Sequence, residues 1–418
     1  MKFALASYGT RGDIEPTVAV GRELERRGHE VRLAVSPDLV GFVESAGLKA
    51  IAYGPDTQEW VDKYRDFFKS ILLNIWKPRD LIELLAPKAE TWVEMSTKLM
   101  SLAEGADLLY TGLNFEQPAA NVAEYYGIPL ATLHYYPMRP NGQMVPTVPP
   151  PVGRAAMRVF DWLFWRLHKK LDDAQRRELG LRKATGPSPR RITELGSLEI
   201  QAYDEVCFPG LSAEWAKSTG RRPFVGTLTI EFTTDADDEI ASWIADGKPP
   251  IYFGFGSVPV ESVAGMVEMI GAACAQLGER ALIRTGGTDL DDVPKFDHVK
   301  VVDAVNYAAT FPACRAVVHH GGSGTTAASL RAGVPALILW TMGDQPIWGA
   351  QIKRLKVGTA RRFSTATTES LVADLRQILA PDYVARAREI STRMTQPEVS
   401  VATAADLLEA TARNKARC

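Results

Sequence analysis

Val317-Val318-His319-His320-Gly321-Gly322-Ser323-Gly324-Thr325-Thr326-Ala327 is an apolar strand that breaks into glycines and then opens a helix. Glycines let backbone N–H groups approach a ligand closely, and a helix N-terminus presents unpaired donors and partial positive charge. The hydroxyls of Ser323 and Thr325 add further donors. An anion, and most naturally a phosphate, fits such a turn. A strand running through a tight turn into a helix is also the repeating unit of parallel α/β sheets, so the flanking sequence is read for more of the same.

It supplies them on both sides. Short apolar runs at Ile251–Phe255, Ala281–Arg284, Val299–Val302 and Ala336–Leu339 are separated by turn signals or by a helix at Ser262–Leu277. A first series begins at the N-terminus with strand Lys2–Ser7, a helix opening at Pro16 and closing at Gly28, and alternating Val31, Leu33 and Val35. It continues with a helix at Asp38–Ala46 and strands near Leu48–Ala52, Leu108–Tyr110 and Leu130–His134. The pattern predicts two doubly wound α/β domains, Rossmann-like and facing each other across a cleft at the carboxyl ends of their strands. The expected boundaries are an N-terminal domain over 1–220, a linker at 221–238, a second domain over 239–395 and a closing helix within 396–418 that crosses back to the first.

Length and composition agree. At ~100–200 residues per domain, 418 residues make two or three units. Lys and Arg number 48 against 50 Asp and Glu, so no basic field points to nucleic acid. Four scattered cysteines without a C-x-x-C spacing suggest neither a disulfide framework nor a thiolate zinc site. No run approaches the ~20 apolar residues of a membrane span. The N-terminal apolar run is too short for a signal peptide, and a cytoplasmic location follows.

Six prolines between Tyr136 and Val152 predict a long surface loop. Aromatic residues crowd Phe67–Trp76 and Trp162–Trp165. Core is the default reading of these runs. The alternatives are an acceptor pocket for a bulky apolar molecule or contact with the inner face of a membrane, for which Arg158, Arg166, His168, Lys169 and Lys170 supply mixed polarity.

The second segment with chemical content is Ser7-Tyr8-Gly9-Thr10-Arg11-Gly12-Asp13-Ile14-Glu15-Pro16, which follows the first strand. Asp13 is read either as a carboxylate capping a helix or as a general base opposite a leaving diphosphate. As bare spacing, Gly322-x-Gly324-x-x-Ala327 also satisfies a dinucleotide fingerprint, with Asp344 near the offset of a ribose-binding acid. An oxidoreductase using NAD(P) is therefore carried as an alternative. Asp235-Ala236-Asp237 and Asp289-Leu290-Asp291 have a metal-binding spacing, but they are read as an acidic helix start and a polar loop.

Taken in order, Gly9–Pro16, Gly254-Phe255-Gly256-Ser257, His319–Thr326, Arg331–Pro335 and Gly343-Asp344-Gln345-Pro346 resemble the GT-B, family 1 glycosyltransferases. The nearest branches are similar to sterol glucosyltransferases and to bacterial enzymes that glycosylate glycopeptide antibiotics and glycopeptidolipids. The resemblance implies a UDP- or TDP-sugar donor as co-substrate, no cofactor and no metal requirement, with a non-catalytic sugar-nucleotide or lipid-binding protein as the second alternative. It implies donor diphosphate contacts from Thr10, Ser257, His319, Gly321, Ser323, Gly324 and Thr325, and donor sugar contacts from Asp344 and Gln345. Val305 would lie at the nucleotide base, in a turn (Val305-Asn306-Tyr307) that departs from the Pro-His or Pro-Gln pair of related enzymes. Asp13 would deprotonate a hydroxyl of a lipophilic small-molecule acceptor in a single inverting displacement, in a monomer or homodimer.

Overall fold

The computed structural model describes residues 1–57, 89–216, 220–230, 234, 236–255, 263–285 and 294–415. The chain divides into two compact units, residues 1–230 with 395–418, and residues 231–394.

Unit 1 carries strands β1 (Lys2–Ala6), β2 (Glu30–Val35), β3 (Ala50–Ala52), β4 (Leu108–Thr111), β5 (Leu130–His134) and β6 (Leu198–Gln201). They pair in the order β3-β2-β1-β4-β5-β6, all parallel. Its helices are α1 (Arg11–Arg26), α2 (Val40–Ser45), α3 (Ala89–Ala103), α4 (Glu116–Tyr126), α5 (Pro150–Glu178) and α6 (Ser188–Glu194). Successive strand residues face opposite sides. Phe3, Leu5, Leu33 and Tyr110 pack with α1 on one face, while Ala4, Ala6, Ala34 and Leu109 pack with α3 and α4 on the other.

Unit 2 repeats the plan. Its strands are β7 (Ile251–Gly254), β8 (Ala281–Arg284), β9 (Val299–Val302), β10 (Ala316–His319), β11 (Ala336–Trp340) and β12 (Gly358–Arg362), ordered β12-β11-β10-β7-β8-β9 and parallel throughout. Helices α7 (Asp237–Ala245), α8 (Val263–Leu277), α9 (Ser323–Arg331), α10 (Gln345–Leu355), α11 (Thr368–Ile378) and α12 (Pro381–Ser391) cover it. Read from its own first strand, each sheet has the Rossmann order 3-2-1-4-5-6. The strand order reverses between β1 and β4 in unit 1 and between β7 and β10 in unit 2. Ligands of such sheets bind outside the carboxyl ends of the strands at that reversal. The segment following β1 and the glycine turn following β10 both occupy it.

The closing helix α13 (Pro397–Lys415) packs on α1, burying Ala404, Ala405 and Leu408. Arg27 ties the pair by bridging to Asp406 at 2.6 Å and Glu409 at 3.1 Å.

Local differences from the sequence reading have physical causes. Helix α1 starts at Arg11 and holds Pro16 inside it, because Asp13 caps the chain several residues earlier than the proline. Residues 221–230 of the expected linker lie in unit 1, where Val225 and Leu228 are buried in the core. The proline-rich stretch ends in helix, since Pro150 and Pro151 stand at its first positions, where a missing N–H costs nothing. That stretch is also no simple surface loop, because Arg139 and Asn141 are buried within it. The core reading of Trp162–Trp165 holds for Trp165 alone, while Trp162, Leu163 and Phe164 are exposed. Phe67–Trp76 lie outside the described residues. Among the described residues no helix is long and apolar enough to cross a membrane.

Candidate active site

At the carboxyl end of β10 the chain turns through His320, Gly321 and Gly322 into α9. Gly321 has φ +98°, and a Cβ on it would lie 2.7 Å from Ile338 Cγ2 and 3.2 Å from the Cβ of Gln345. Only glycine closes this turn. A Cβ on Gly324 would meet nothing within 4 Å, so the first turn of α9 is open there. The first N–H groups of a helix have no intrahelical acceptor, and Ser323, Gly324 and Thr325 are the residues that present them.

His319 is fully buried at the end of β10. Its Nδ1 accepts the Gly321 N–H at 3.0 Å, which places the proton of the neutral ring on Nε2. Burial, reinforced by the neighbouring His320, pushes its pKa well below the ordinary range, so the ring stays neutral. Nε2 is buried with no hydrogen-bond partner. An unsatisfied buried donor costs ~1–3 kcal/mol, which an acceptor atom brought by a ligand would recover.

The sequence reading gave no role to two residues here, His320 within the turn and Arg284 at the end of β8. His320 is held at about 4 by burial and by the nearby Arg284, against the opposing pull of the Gly254 backbone. Arg284 ends β8 in register with Gly254, which is itself in register with His319. Its Nε donates to the Asp303 carbonyl at 3.1 Å and its Nη1 to the Tyr307 hydroxyl at 3.3 Å. Val305, in the loop after β9, is half-buried beside Tyr307 in the small cluster around Tyr252 and Phe311. A lone arginine at a strand end carries no sequence signal; only the register brings it level with the histidine.

The β11–α10 loop lies against the same turn. Gln345 Oε1 accepts the Thr341 N–H at 2.7 Å, the Thr341 hydroxyl at 2.9 Å and the Met342 N–H at 3.2 Å. This fixes the amide and leaves its NH2 end as a donor. Burial raises the Asp344 carboxyl to about 6, offset in part by its own backbone amide and the Trp348 side chain.

In unit 1, Asp13 stands in the first turn of α1. Its Oδ2 accepts the Thr10 N–H at 2.8 Å and the Thr10 hydroxyl at 3.1 Å. Its backbone carbonyl accepts the Ser7 hydroxyl at 2.9 Å and the Tyr135 hydroxyl at 2.7 Å. Gly9 makes room for it: φ is +138°, and a Cβ there would sit 2.3 Å from Asp13 Oδ2. Ser36 locks Gly9, its Oγ accepting the glycine N–H and donating to the glycine carbonyl, both at 2.9 Å. Phe115, at φ 65°, is a non-glycine residue in the left-handed region, and its ring packs edge-on to Tyr8. Backbone strain of this kind, worth ~1–3 kcal/mol, gathers at functional loops.

A buried ionic network backs the carboxyl ends of β5 and β6. His134 Nε2 lies 2.6 Å from Glu116 Oε1, and Arg139 joins Glu116 at 3.1 Å to Glu199. Arg139 and His134 overcome the cost of burial and hold Glu116 at about 2.

Unit 2 thus brings His319, Gly321, Ser323, Gly324 and Thr325 onto one turn, with Asp344 and Gln345 beside it. Unit 1 brings Thr10 and Asp13 onto one helix start. Ser257, Asp235, Asp289 and Asp291 lie outside the described residues. Asp237 is occupied locally, accepting from the amide and hydroxyl of Thr234 at the start of α7.

Residues 3–93 match the N-terminal domain of glycosyltransferase family 28, and residues 274–410 match the C-terminal domain of erythromycin biosynthesis protein CIII-like proteins. The chain is 62% identical over 420 residues to an uncharacterized glycosyltransferase of Mycobacterium tuberculosis, covering 99% of both. The chain belongs to the GT-B glycosyltransferases. A sterol 3-beta-glucosyltransferase of Arabidopsis thaliana is 30% identical to this glycosyltransferase over 86% of it and 57% of the plant protein. Its fold is shared with the glycotransferase of kitacinnamycin at TM-score 0.73 and 19% identity, over 98% of both chains. It is shared also with a glycosyltransferase solved in complex with dTDP at TM-score 0.66 and 18% identity, over 99% of this chain and 100% of that one. For this glycosyltransferase the glycine turn is therefore not read as a nicotinamide fingerprint.

Proposed function

We propose that this glycosyltransferase moves a hexose or deoxyhexose from a UDP- or TDP-linked donor to a hydroxyl of a lipophilic small molecule, with inversion at the anomeric carbon. The observation that carries the donor site is His319 Nε2, a buried N–H without a partner at the mouth of a glycine turn. It is suited to a phosphate oxygen, as are the first N–H groups of α9. The dTDP bound by a protein of the same fold supports a nucleoside diphosphate there. Asp344 and Gln345, against the same turn, would accept from and donate to the sugar hydroxyls, and Val305 with Tyr307 would border the base.

In the displacement, the acceptor oxygen attacks the anomeric carbon and its proton passes to the Asp13 carboxylate. The bond from that carbon to the diphosphate oxygen breaks, and its electron pair leaves with the diphosphate. A carboxylate is a weak base for an alcohol, so proton transfer is concerted with departure of the leaving group. The neutral His319 N–H and the α9 terminus would stabilise the charge that develops there.

Incubating the enzyme with UDP- and TDP-sugars and a panel of sterol-like, polyketide and glycolipid alcohols tests the reading. Transfer that yields a product of opposite anomeric configuration supports it. Retention of configuration refutes the single displacement, and donor turnover confined to polar acceptors refutes the lipophilic class.

A further inference from the structure

Helix α5 buries one face and offers the opposite face to solvent. Trp165, His168 and Asp172 recur at helical spacing and are buried against the rest of unit 1. On the other side Val152, Val159 and Leu163 form a stripe flanked by Phe160 and Trp162, and each of the five is at least 50% exposed. Isolated exposed apolar residues are ordinary, but a contiguous stripe of aromatic and aliphatic side chains marks an interaction surface.

The charges on this helix narrow the partner. Arg158, Arg166, Lys170 and Arg177 are exposed, and the one exposed carboxylate of the helix is Glu178 at its C-terminal end, beyond the apolar stripe. Asp161 and Asp173 are partly buried, and Asp173 is paired to Lys169 at 2.8 Å. Arg166 lies over the Trp162 ring at 5.7 Å, so a cation and the apolar stripe share one edge. An apolar stripe with cations along it matches the boundary between acyl chains and negatively charged headgroups. It does not match a neutral apolar partner, which would leave the cations unpaired.

We propose that the exposed face of α5 docks the enzyme on an anionic lipid surface, with Phe160, Trp162 and Leu163 entering the headgroup boundary and Arg158, Arg166 and Lys170 pairing with lipid phosphates. The helix lies on the surface and does not span it. This inference goes beyond the transfer reaction and does not depend on it.

The test is co-sedimentation of the full chain with vesicles of phosphatidylglycerol and phosphatidylcholine, and with phosphatidylcholine alone, without donor or acceptor. A negative result therefore leaves the proposed transfer untouched. Binding is expected to the anionic vesicles and to weaken with salt. At ~5-fold per basic residue, Arg166→Gln/Lys170→Gln should bind about 30-fold more weakly. Leu163→Asp should abolish binding while the protein keeps the thermal transition of the wild type. No binding of the wild type to anionic vesicles overturns the proposal, as does equal binding by the charge variant. A wild-type dimer that Leu163→Asp converts to monomer, without vesicle binding, would assign the face to a second copy and overturn it too.

Discussion

Replacing Asp344 with asparagine should stabilise unit 2 while impairing the enzyme. Burial raises this carboxyl from 3.8 to about 6, so folding takes an ionised group of the unfolded chain and holds it where ionisation is disfavoured. For a carboxyl with a raised folded pKa, the full stability is present below the unfolded pKa and is lost as pH rises through the folded one. A shift of about two units at ~1.4 kcal/mol each gives about 3 kcal/mol lost by pH 7. Asparagine keeps the size and hydrogen-bonding capacity without the charge. The variant should therefore exceed the wild type by less than about 1 kcal/mol at pH 4 and by about 3 kcal/mol at pH 7. Urea denaturation followed by tryptophan fluorescence reads this difference, with Trp348 buried in α10 beside the site. Asp161, raised to a similar value, is present in both proteins and cancels. A variant that is less stable at pH 7, or a difference that does not grow with pH, would refute the reasoning. The wild type holds a costly carboxylate at neutral pH, which is understandable if a ligand hydroxyl donates to it.

Further outcomes follow from the other side chains. Asp13→Asn should lower turnover by ~10²–10⁴-fold while nucleotide affinity, measured by calorimetry, stays within error, because the base is lost and the donor loop is not. Gly9→Ala should mimic it in steady-state kinetics, since the new Cβ would stand 2.3 Å from Asp13 Oδ2 and displace the carboxylate. Arg139→Met should cost ~3–5 kcal/mol in urea denaturation by leaving Glu116 and Glu199 buried without their cation. Activity should survive EDTA, as the α9 terminus and His319 are taken to meet the diphosphate charge; loss with recovery on adding manganese would contradict that.

The parallel strands of both sheets were largely legible, because a strand buried on both faces reads as an unbroken apolar run. Edge strands β6 and β12 were not: Leu198-Glu199-Ile200-Gln201 alternates apolar and polar residues, and Gly358-Thr359-Ala360-Arg361-Arg362 carries two arginines, one bound to Asp374 at 2.7 Å. The glycine turn was legible because residues close in sequence build it. The network of Glu116, His134, Arg139 and Glu199 was not, since its members meet only through pairing of β5 with β6 and closure of the loop after β5. Arg284 escaped for the same reason, and its level with His319 is a property of register. The exposure of Trp162, Leu163 and Phe164, which the core reading of that run does not anticipate, was not legible, because composition does not say which face of a helix finds a partner.

The central claim is that unit 2 binds a nucleoside diphosphate through His319 and the start of α9. Calorimetric titration with UDP, TDP and NADH, repeated on His319→Ala for the tightest of them, tests it most directly. The account predicts selective binding of a nucleoside diphosphate that weakens in the variant. Binding of NADH alone, or nucleoside diphosphate affinity unchanged in His319→Ala, would contradict it.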